Sequence, residues 1–273
     1  MTMKKVILLS SVLLAVPFMM NGETQAADCV TQNCPTLGYT EASNTGNCVK
    51  CPFGNFWACP KIEEKAVLGQ CTGYAKNCKI GDILNNDGTC TTNKESGKTP
   101  IGIVVYISGG SDKCGYAMTA SPIVFSIEWG NPNTDIPSLP NYTSVTTAIK
   151  DFDVSGNMAK IIQASGGDRY KYPAAYAALN YAPSAAPTSK GKWALPTAGI
   201  LNSLYTNFKD ISNAISKVGG TQFGGDAYHI WSSSECNDRF AWSFCITYGN
   251  GLTYNHKKSG GYGGNYVHPV IAF

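Results

Sequence analysis

From Pro100 to the C-terminus the spacing of apolar positions changes repeatedly, and each change marks an element. Residues 101–108 and 123–129 are runs of β-branched and aromatic residues, and they predict strands. Apolar residues then recur at helical spacing. Residues 157–165 and 173–180 predict helices, the second opening on Pro173, which suits a first helical turn, and continuing in alanines. Ile200, Leu201, Leu204, Tyr205 and Phe208 follow Thr197, a residue suited to cap a helix, and predict a longer helix over 197–208. A helix over 210–218 is expected to stop at Gly219-Gly220. Beyond it the period shortens to that of strands, at 228–233, 241–248, 252–256 and 266–273, with Gly and Asn turns between them. A strand, then helices, then an antiparallel run predicts an α+β domain rather than a doubly wound parallel sheet.

The N-terminal end predicts export. Met1-Thr2-Met3-Lys4-Lys5 is a basic start, 6–20 is apolar, and Thr24-Gln25-Ala26 offers small residues at the usual cleavage positions. Together these read as a signal peptide over 1–26. The apolar run is shorter than the ~20 residues a membrane span needs, and it contains Pro17. Cys29 follows Asp28 well beyond that run, which argues against a lipid anchor. The chain carries 21 basic and 18 acidic residues, and losing Lys4, Lys5 and Glu23 with the leader leaves it close to neutral. Such a balance excludes a nucleic-acid binder with a basic face.

Cysteines divide the chain. Of the 11, Cys29, Cys34, Cys48, Cys51, Cys59, Cys71, Cys78 and Cys90 crowd into a segment with few long apolar runs. A core that small needs cross-links, so four disulfides are expected there, with their pairing open. A zinc site on Cys48-Val49-Lys50-Cys51 is disfavoured because no second such pair follows. The polar stretch 92–99 reads as a linker. Its Gly97-Lys98-Thr99 is not a phosphate loop, since Thr92 occupies the position of the required glycine. The expected organisation is a signal peptide at 1–26, a small disulfide-rich module at 28–91, a linker at 92–99 and a domain at 100–273.

The last stretch has a restricted vocabulary. A frame of Trp231-Ser232-Ser233-Ser234-Glu235, Ala241-Trp242 and Val267-His268-Pro269-Val270-Ile271-Ala272-Phe273 encloses residues that are almost all aromatic, small or polar. Gln and Met are absent between the anchors, and Lys257 and Lys258 are the only long amines. Aromatic residues mixed with small polar ones between fixed points have the composition of a binding surface.

Trp193-Ala194-Leu195-Pro196-Thr197, the helix carrying Leu201 to Tyr205, Ile230-Trp231-Ser232-Ser233-Ser234-Glu235, Ala241-Trp242 and the closing 267–273 resemble the C-type-lectin-like domain of exported bacterial proteins. Two relatives are implied: the Lcl-like C-terminal adhesin domain and the variable proteins of diversity-generating retroelements. The resemblance covers roughly 97–273 and is densest in the last third. It implies a C-type-lectin-like domain of antiparallel strands and helices in which 266–273 pairs beside 101–108. Trp231 and Trp242 would belong to the buried frame.

In retroelement systems AAC codons are rewritten to codons ending in C, which never encode Lys, Glu, Gln, Met or Trp. The resemblance therefore assigns ligand contact to Cys236, Asn237, Asp238, Arg239, Phe240, Ser243, Cys245, Thr247, Tyr248, Tyr254, Asn255, His256, Tyr262, Asn265, Tyr266 and His268. Phe240, Tyr248, Tyr254, Tyr262 and Tyr266 would supply contact area, and Asn237, Asp238, Arg239, Asn255 and His256 polar specificity. Two departures stand out: His268 replaces the Arg common before Pro-Val, and extra glycines follow Lys258.

The expected function is an exported, adhesin-like binder of a protein or glycan on a cell surface, with no cofactor, no metal and no enzymatic activity. One alternative is a formylglycine-generating-type oxidoreductase, which shares the broad fold and would use Cys236 and Cys245 as a redox or copper pair. Another is a structural envelope protein. Cys236 and Cys245 are otherwise expected as a disulfide or as products of variation, and with Cys114 they leave an odd count. Asn131-Pro132-Asn133 lacks the acidic oxygens of a calcium site, and His229 and His256 are single imidazoles.

Overall fold

Short caps and turn glycines set the helices of this chain, which we describe from a computed structural model covering residues 74–109, 113–224, 228–245, 251–257 and 265–273, together with 49–50, 57–58, 69 and 71. The chain divides into two units, 1–63 and 64–273. In the first, β1 (Val49–Lys50) and β2 (Trp57–Ala58) form an antiparallel pair. The leader and Cys29, Cys34, Cys48, Cys51 and Cys59 lie outside the described residues.

The second unit is α+β. Five strands precede or separate its helices: β3 (Ile83–Asn85), β4 (Cys90–Thr91), β5 (Pro100–Ile107), β6 (Gly115–Met118) and β7 (Trp193–Ala194). The helices are α1 (Val145–Ala148), α2 (Val154–Ser165), α3 (Pro173–Asn180), α4 (Ala198–Thr206) and α5 (Phe208–Val218). Five strands follow: β8 (His229–Glu235), β9 (Phe240–Cys245), β10 (Gly251–His256), β11 (Asn265–Tyr266) and β12 (Val270–Ala272). The order β4-β3-β5-β6-β12-β7 makes a six-stranded sheet, and β10-β9-β8-β11 a four-stranded one.

The helix termini follow their sequence signals. Thr197 accepts from the Ile200 amide, Asp153 from Gly156, Pro173 opens α3, and Gly166 and Gly219 end α2 and α5 with left-handed backbone. These caps satisfy amides and carbonyls that the helix itself leaves unpaired. Among the described residues no helix is long and apolar enough to cross a membrane.

α4 organises the interior. It contacts β5 of one sheet and β8, β9 and β10 of the other, so Ile200, Leu201 and Leu204 share a core with Ile103, Val105, Ile230, Trp242 and Phe244. The opposite face of the four-stranded sheet is also covered. Trp231, Ala241 and Val267 pack there with Trp129, Ile136, Met158 and the alanines of α3. α4 sits close to the chain before α2: a Cβ on Gly199 would fall 2.3 Å from the Asp151 carbonyl oxygen. Asp151 is itself buried, and its carboxylate accepts from Ser234 Oγ at 2.6 Å and Asn157 Nδ2 at 2.7 Å. The Ser-Ser-Ser-Glu run is thus held from behind by hydrogen bonds, not by apolar contact alone.

Several expectations change. The strand expected over 266–273 is two strands: β11 runs parallel to β8, and β12 is antiparallel to β6 and β7. Pro269 lies between them; it has no amide to donate, and its carbonyl accepts from Thr119 as the chain passes between sheets. β12 does not lie beside β5. The four-residue β6, too short to leave a periodic signal, separates them. Residues 123–129 are irregular, with one bridge between Val124 and Val267 and a left-handed Ser126 at φ 54°.

The expected module boundary after Thr91 falls inside the six-stranded sheet, because β3 pairs with β5. The described disulfides are Cys71–Cys114 and Cys78–Cys90. Cys114 therefore pairs across the expected boundary, which a count confined to the N-terminal cysteines misses. Disulfides fit an oxidising compartment.

Candidate recognition face

The turn between β8 and β9 is built by one side chain. Asn237 Oδ1 accepts from the amides of Arg239 (2.9 Å) and Phe240 (3.0 Å), closing a local turn that leaves Asp238 and Arg239 exposed. Asn is suited to this because its side chain mimics a backbone acceptor. Phe240 is half-buried, and its ring meets Tyr254 of β10 edge-on at 5.4 Å; Trp242, beneath, meets Tyr254 at 5.6 Å. Tyr254 stays 52% exposed. One end of the four-stranded sheet therefore presents Asn237, Asp238, Arg239, Phe240 and Tyr254 together.

A second segment completes this end. The Thr134 amide donates to the Asp238 carbonyl, and the Lys257 amide to that of Arg239. Asn131, Asn133, Thr134, Asp135 and Asn141 are all exposed beside the turn, with Asn141 Nδ2 donating to Asp135 Oδ1 at 2.8 Å. Sequence reasoning weighed Asn131-Pro132-Asn133 for calcium and missed its place on this rim. The Pro-centred Asn pair signals a turn, but its nearness to Asp238 arises from tertiary contacts 100 residues apart.

Beneath the rim lies a buried ion pair. Lys257 Nζ bonds Glu235 Oε1, with both side chains fully buried. It also donates to the Thr134 carbonyl at 2.9 Å and stands 5.0 Å from the centre of the Trp129 ring. The Ile136 amide donates to Glu235 Oε2. Burial pushes the Glu235 carboxyl up, to about 7, while Lys257 pulls it down. This clamp holds the 129–136 segment against β8.

Of the remaining residues expected to make contact, Cys236, Ser243, Cys245, Asn265 and His268 are buried. Alternation along the strands explains part of this. Ser243 lies on the covered face of β9, and Asn255, half-buried, donates to Ser243 Oγ at 2.9 Å and Asn265 Oδ1 at 3.2 Å. These three are struts between β9, β10 and β11. Tyr266 is half-buried and stacks on Tyr228 at 4.0 Å. Thr247, Tyr248, Tyr262 and the side chain of His256 lie outside the described residues.

Cys236 and Cys245 are free thiols, not a disulfide. The Cys236 amide donates to the Phe240 carbonyl at one end of β9, and Cys245 closes the other end. At about 3.3 Å per residue the strand separates these ends by roughly 16 Å, far beyond the ~7 Å reach of a disulfide between Cα atoms. The two-cysteine oxidase arrangement is not assembled here. Burial also pushes the Cys236 thiol pKa up, with Glu235 adding to the rise, the opposite of what a thiolate nucleophile needs.

His268 is a structural group. Its Nδ1 donates to the Thr119 carbonyl at 3.0 Å, and its Nε2 accepts from the Tyr228 hydroxyl at 2.6 Å. Acceptance from Tyr228 requires the neutral ring, and burial lowers its pKa to about 4 from the ordinary 6.5, against a smaller upward pull from the Thr119 carbonyl. A depressed folded-state value means that stability is present above pH ~6.5 and lost as pH falls through ~4. A difference of this size corresponds to about 3 kcal/mol. Urea midpoints are expected to fall between pH 7 and pH 4, and His268→Gln to flatten that dependence.

Two clefts, of about 280 and 270 Å3, lie elsewhere, and neither is lined by residues of 231–257. Among the described residues the rim presents exposed side chains, an arrangement that suits a macromolecular contact.

No family model and no curated protein matches the chain. A solved structure, a fimbrial protein from Bacteroides ovatus, is similar to it with a TM-score of 0.48 and 14% identity, over 71% of this chain and 49% of that one. The chain thus spans about half the length of that protein.

Proposed function

We propose that the protein is an exported, adhesin-like binder with a C-type-lectin-like domain. Its recognition face is the rim formed by Asn237, Asp238, Arg239, Phe240 and Tyr254, bordered by Asn131–Asn141, and its target is a protein or glycan on a cell surface. We further propose that the C-terminal segment is of the retroelement-diversified type.

One observation carries this reading. The residues that codons ending in C cannot encode are Trp231, Glu235, Trp242 and Lys257 among the described residues of the segment, and all four are buried. The three best exposed there, Asp238, Arg239 and Tyr254, all fall within the encodable set. Every described residue outside that vocabulary is thus interior, as expected of a fixed frame, while residues within it are found both at the surface and, like Cys236, Ser243, Cys245, Asn265 and His268, in the interior. Aromatic and Arg side chains beside amides are also the residues that carry binding energy at interfaces.

Nucleotide sequence tests the diversification directly. A near-copy of the codons for 231–273 beside a reverse transcriptase, with mismatches confined to template adenines, is the expected result. Mismatches at other bases, or no near-copy, would remove the retroelement part and leave an adhesin-like domain with fixed contacts.

A further inference from the structure

The buried pair beneath the rim joins a primary amine to a carboxyl group, the two partners of an amide bond. Lys257 Nζ is in contact with Glu235 Oε1, and both side chains are fully buried. Glu235 is the last residue of β8, and Lys257 follows β10, with β9 between those strands. The Lys257 amide is itself fixed, donating to the Arg239 carbonyl at 2.9 Å.

The surroundings fit the amide better than they fit the two ions. Outside the pair, Nζ donates to the Thr134 carbonyl at 2.9 Å, and Oε2 accepts from the Ile136 amide at 3.4 Å. The Trp129 ring, its centre 5.0 Å from Nζ, offers no conventional acceptor. An ammonium has three donors and no acceptor, and a carboxylate only acceptors. A secondary amide has one N–H and one carbonyl oxygen. Joining Nζ to the Glu235 Cδ with loss of Oε1 would leave that N–H on Thr134 and that oxygen on Ile136, with both polar atoms paired and no charge left buried.

The atoms needed are all present. Burial disfavours the charged forms, and it pushes the Glu235 carboxyl up, to about 7, against the pull of Lys257. One proton passing from Nζ to Oε1 gives a neutral amine beside a neutral acid, without exchange with solvent. The Nζ lone pair adds to Cδ, and the charge that develops on Oε2 meets the Ile136 amide. The Cδ–Oε1 bond then breaks, and Oε1 leaves as water with its own proton and one from Nζ. This condensation changes no oxidation state and uses no co-reactant. Contact between the groups replaces a bimolecular encounter, and a site closed to water opposes the reverse hydrolysis.

We propose that Lys257 and Glu235 condense to an intramolecular amide that ties the end of β8 to the chain after β10. The buried ion pair is the state before condensation. The link closes β9 and the Asn237 turn into a covalent ring, and it holds whether or not the rim binds a target.

The test is peptide mass mapping of the purified full chain, reduced and denatured before digestion with trypsin. The unlinked chain is cut after Lys217, Arg239 and Lys257 and gives linear peptides 218–239 and 240–257. The linked chain is expected to resist cleavage at Lys257 and to give 218–239 joined to 240–258, at a mass one water below their sum, with fragment ions that place the branch at Glu235 and Lys257. Lys257→Arg keeps the positive charge on a guanidinium that does not lose its proton, and it is expected to give only the linear peptides. A parent chain that yields 218–239 and 240–257 only as linear peptides overturns the proposal, as does a joined product that persists in Lys257→Arg.

Discussion

Lys257→Met is expected to destabilise the second unit by about 3–5 kcal/mol, because it leaves the Glu235 carboxylate buried without its cation. For a unit of this size the loss corresponds to a fall in melting temperature of about 10 °C or more. The cause is specific: Lys257 also holds the Thr134 carbonyl and faces Trp129, so its removal frees the 129–136 segment as well as unpairing Glu235. The check is a double-mutant comparison by thermal denaturation. Glu235→Leu with Lys257→Met removes both charges, and it is expected to recover more than half of the loss, since an apolar pair of similar volume avoids the desolvation cost of the ion pair. A single Lys257→Met variant that melts within about 2 °C of the parent would mean that the clamp contributes little.

Much of the fold was legible because local signals and tertiary packing agree. Pro173, Thr197 and Gly219 announce helix ends in sequence and perform those roles in the structure. The strand period of β8 and β9 was visible for the same reason: Ile230, Trp242 and Phe244 pack into the core shared with α4, and Trp231 and Ala241 into the one with Trp129 and Ile136.

What failed depends on long-range pairing. β6 is four residues long, Gly-Tyr-Ala-Met, and owes its existence to β5 and β12 on either side. The Cys71–Cys114 bond crosses a boundary drawn from cysteine density. Likewise the vocabulary of 231–273 marked a region but not which way its side chains point. Ser243, Asn265 and His268 share the polar character of Asp238 and Arg239, yet hydrogen bonds draw them inward, to Asn255 in the first two cases and to Tyr228 and Thr119 in the third. Glu235 and Lys257, both charged, would be placed outside by composition alone; each is buried because the other is there.

The second large effect concerns binding. Asp238, Arg239 and Tyr254 sit on one rim, and none carries the fold: the first two lie on a turn closed by Asn237, and Tyr254 is more than half exposed. Replacing all three by Ala is expected to leave melting temperature nearly unchanged. Contacts of this type contribute roughly 2 kcal/mol or more each where they are central to an interface, which corresponds to at least about a 30-fold loss of affinity even if only one of the three is central. The most direct measurement is a quantitative binding assay of the full chain and this triple variant on arrays of cell-surface proteins and glycans. The account predicts a target bound by the parent and lost, by at least about 30-fold, in an equally stable variant. Equal binding by both would contradict the assignment of this rim as the recognition face.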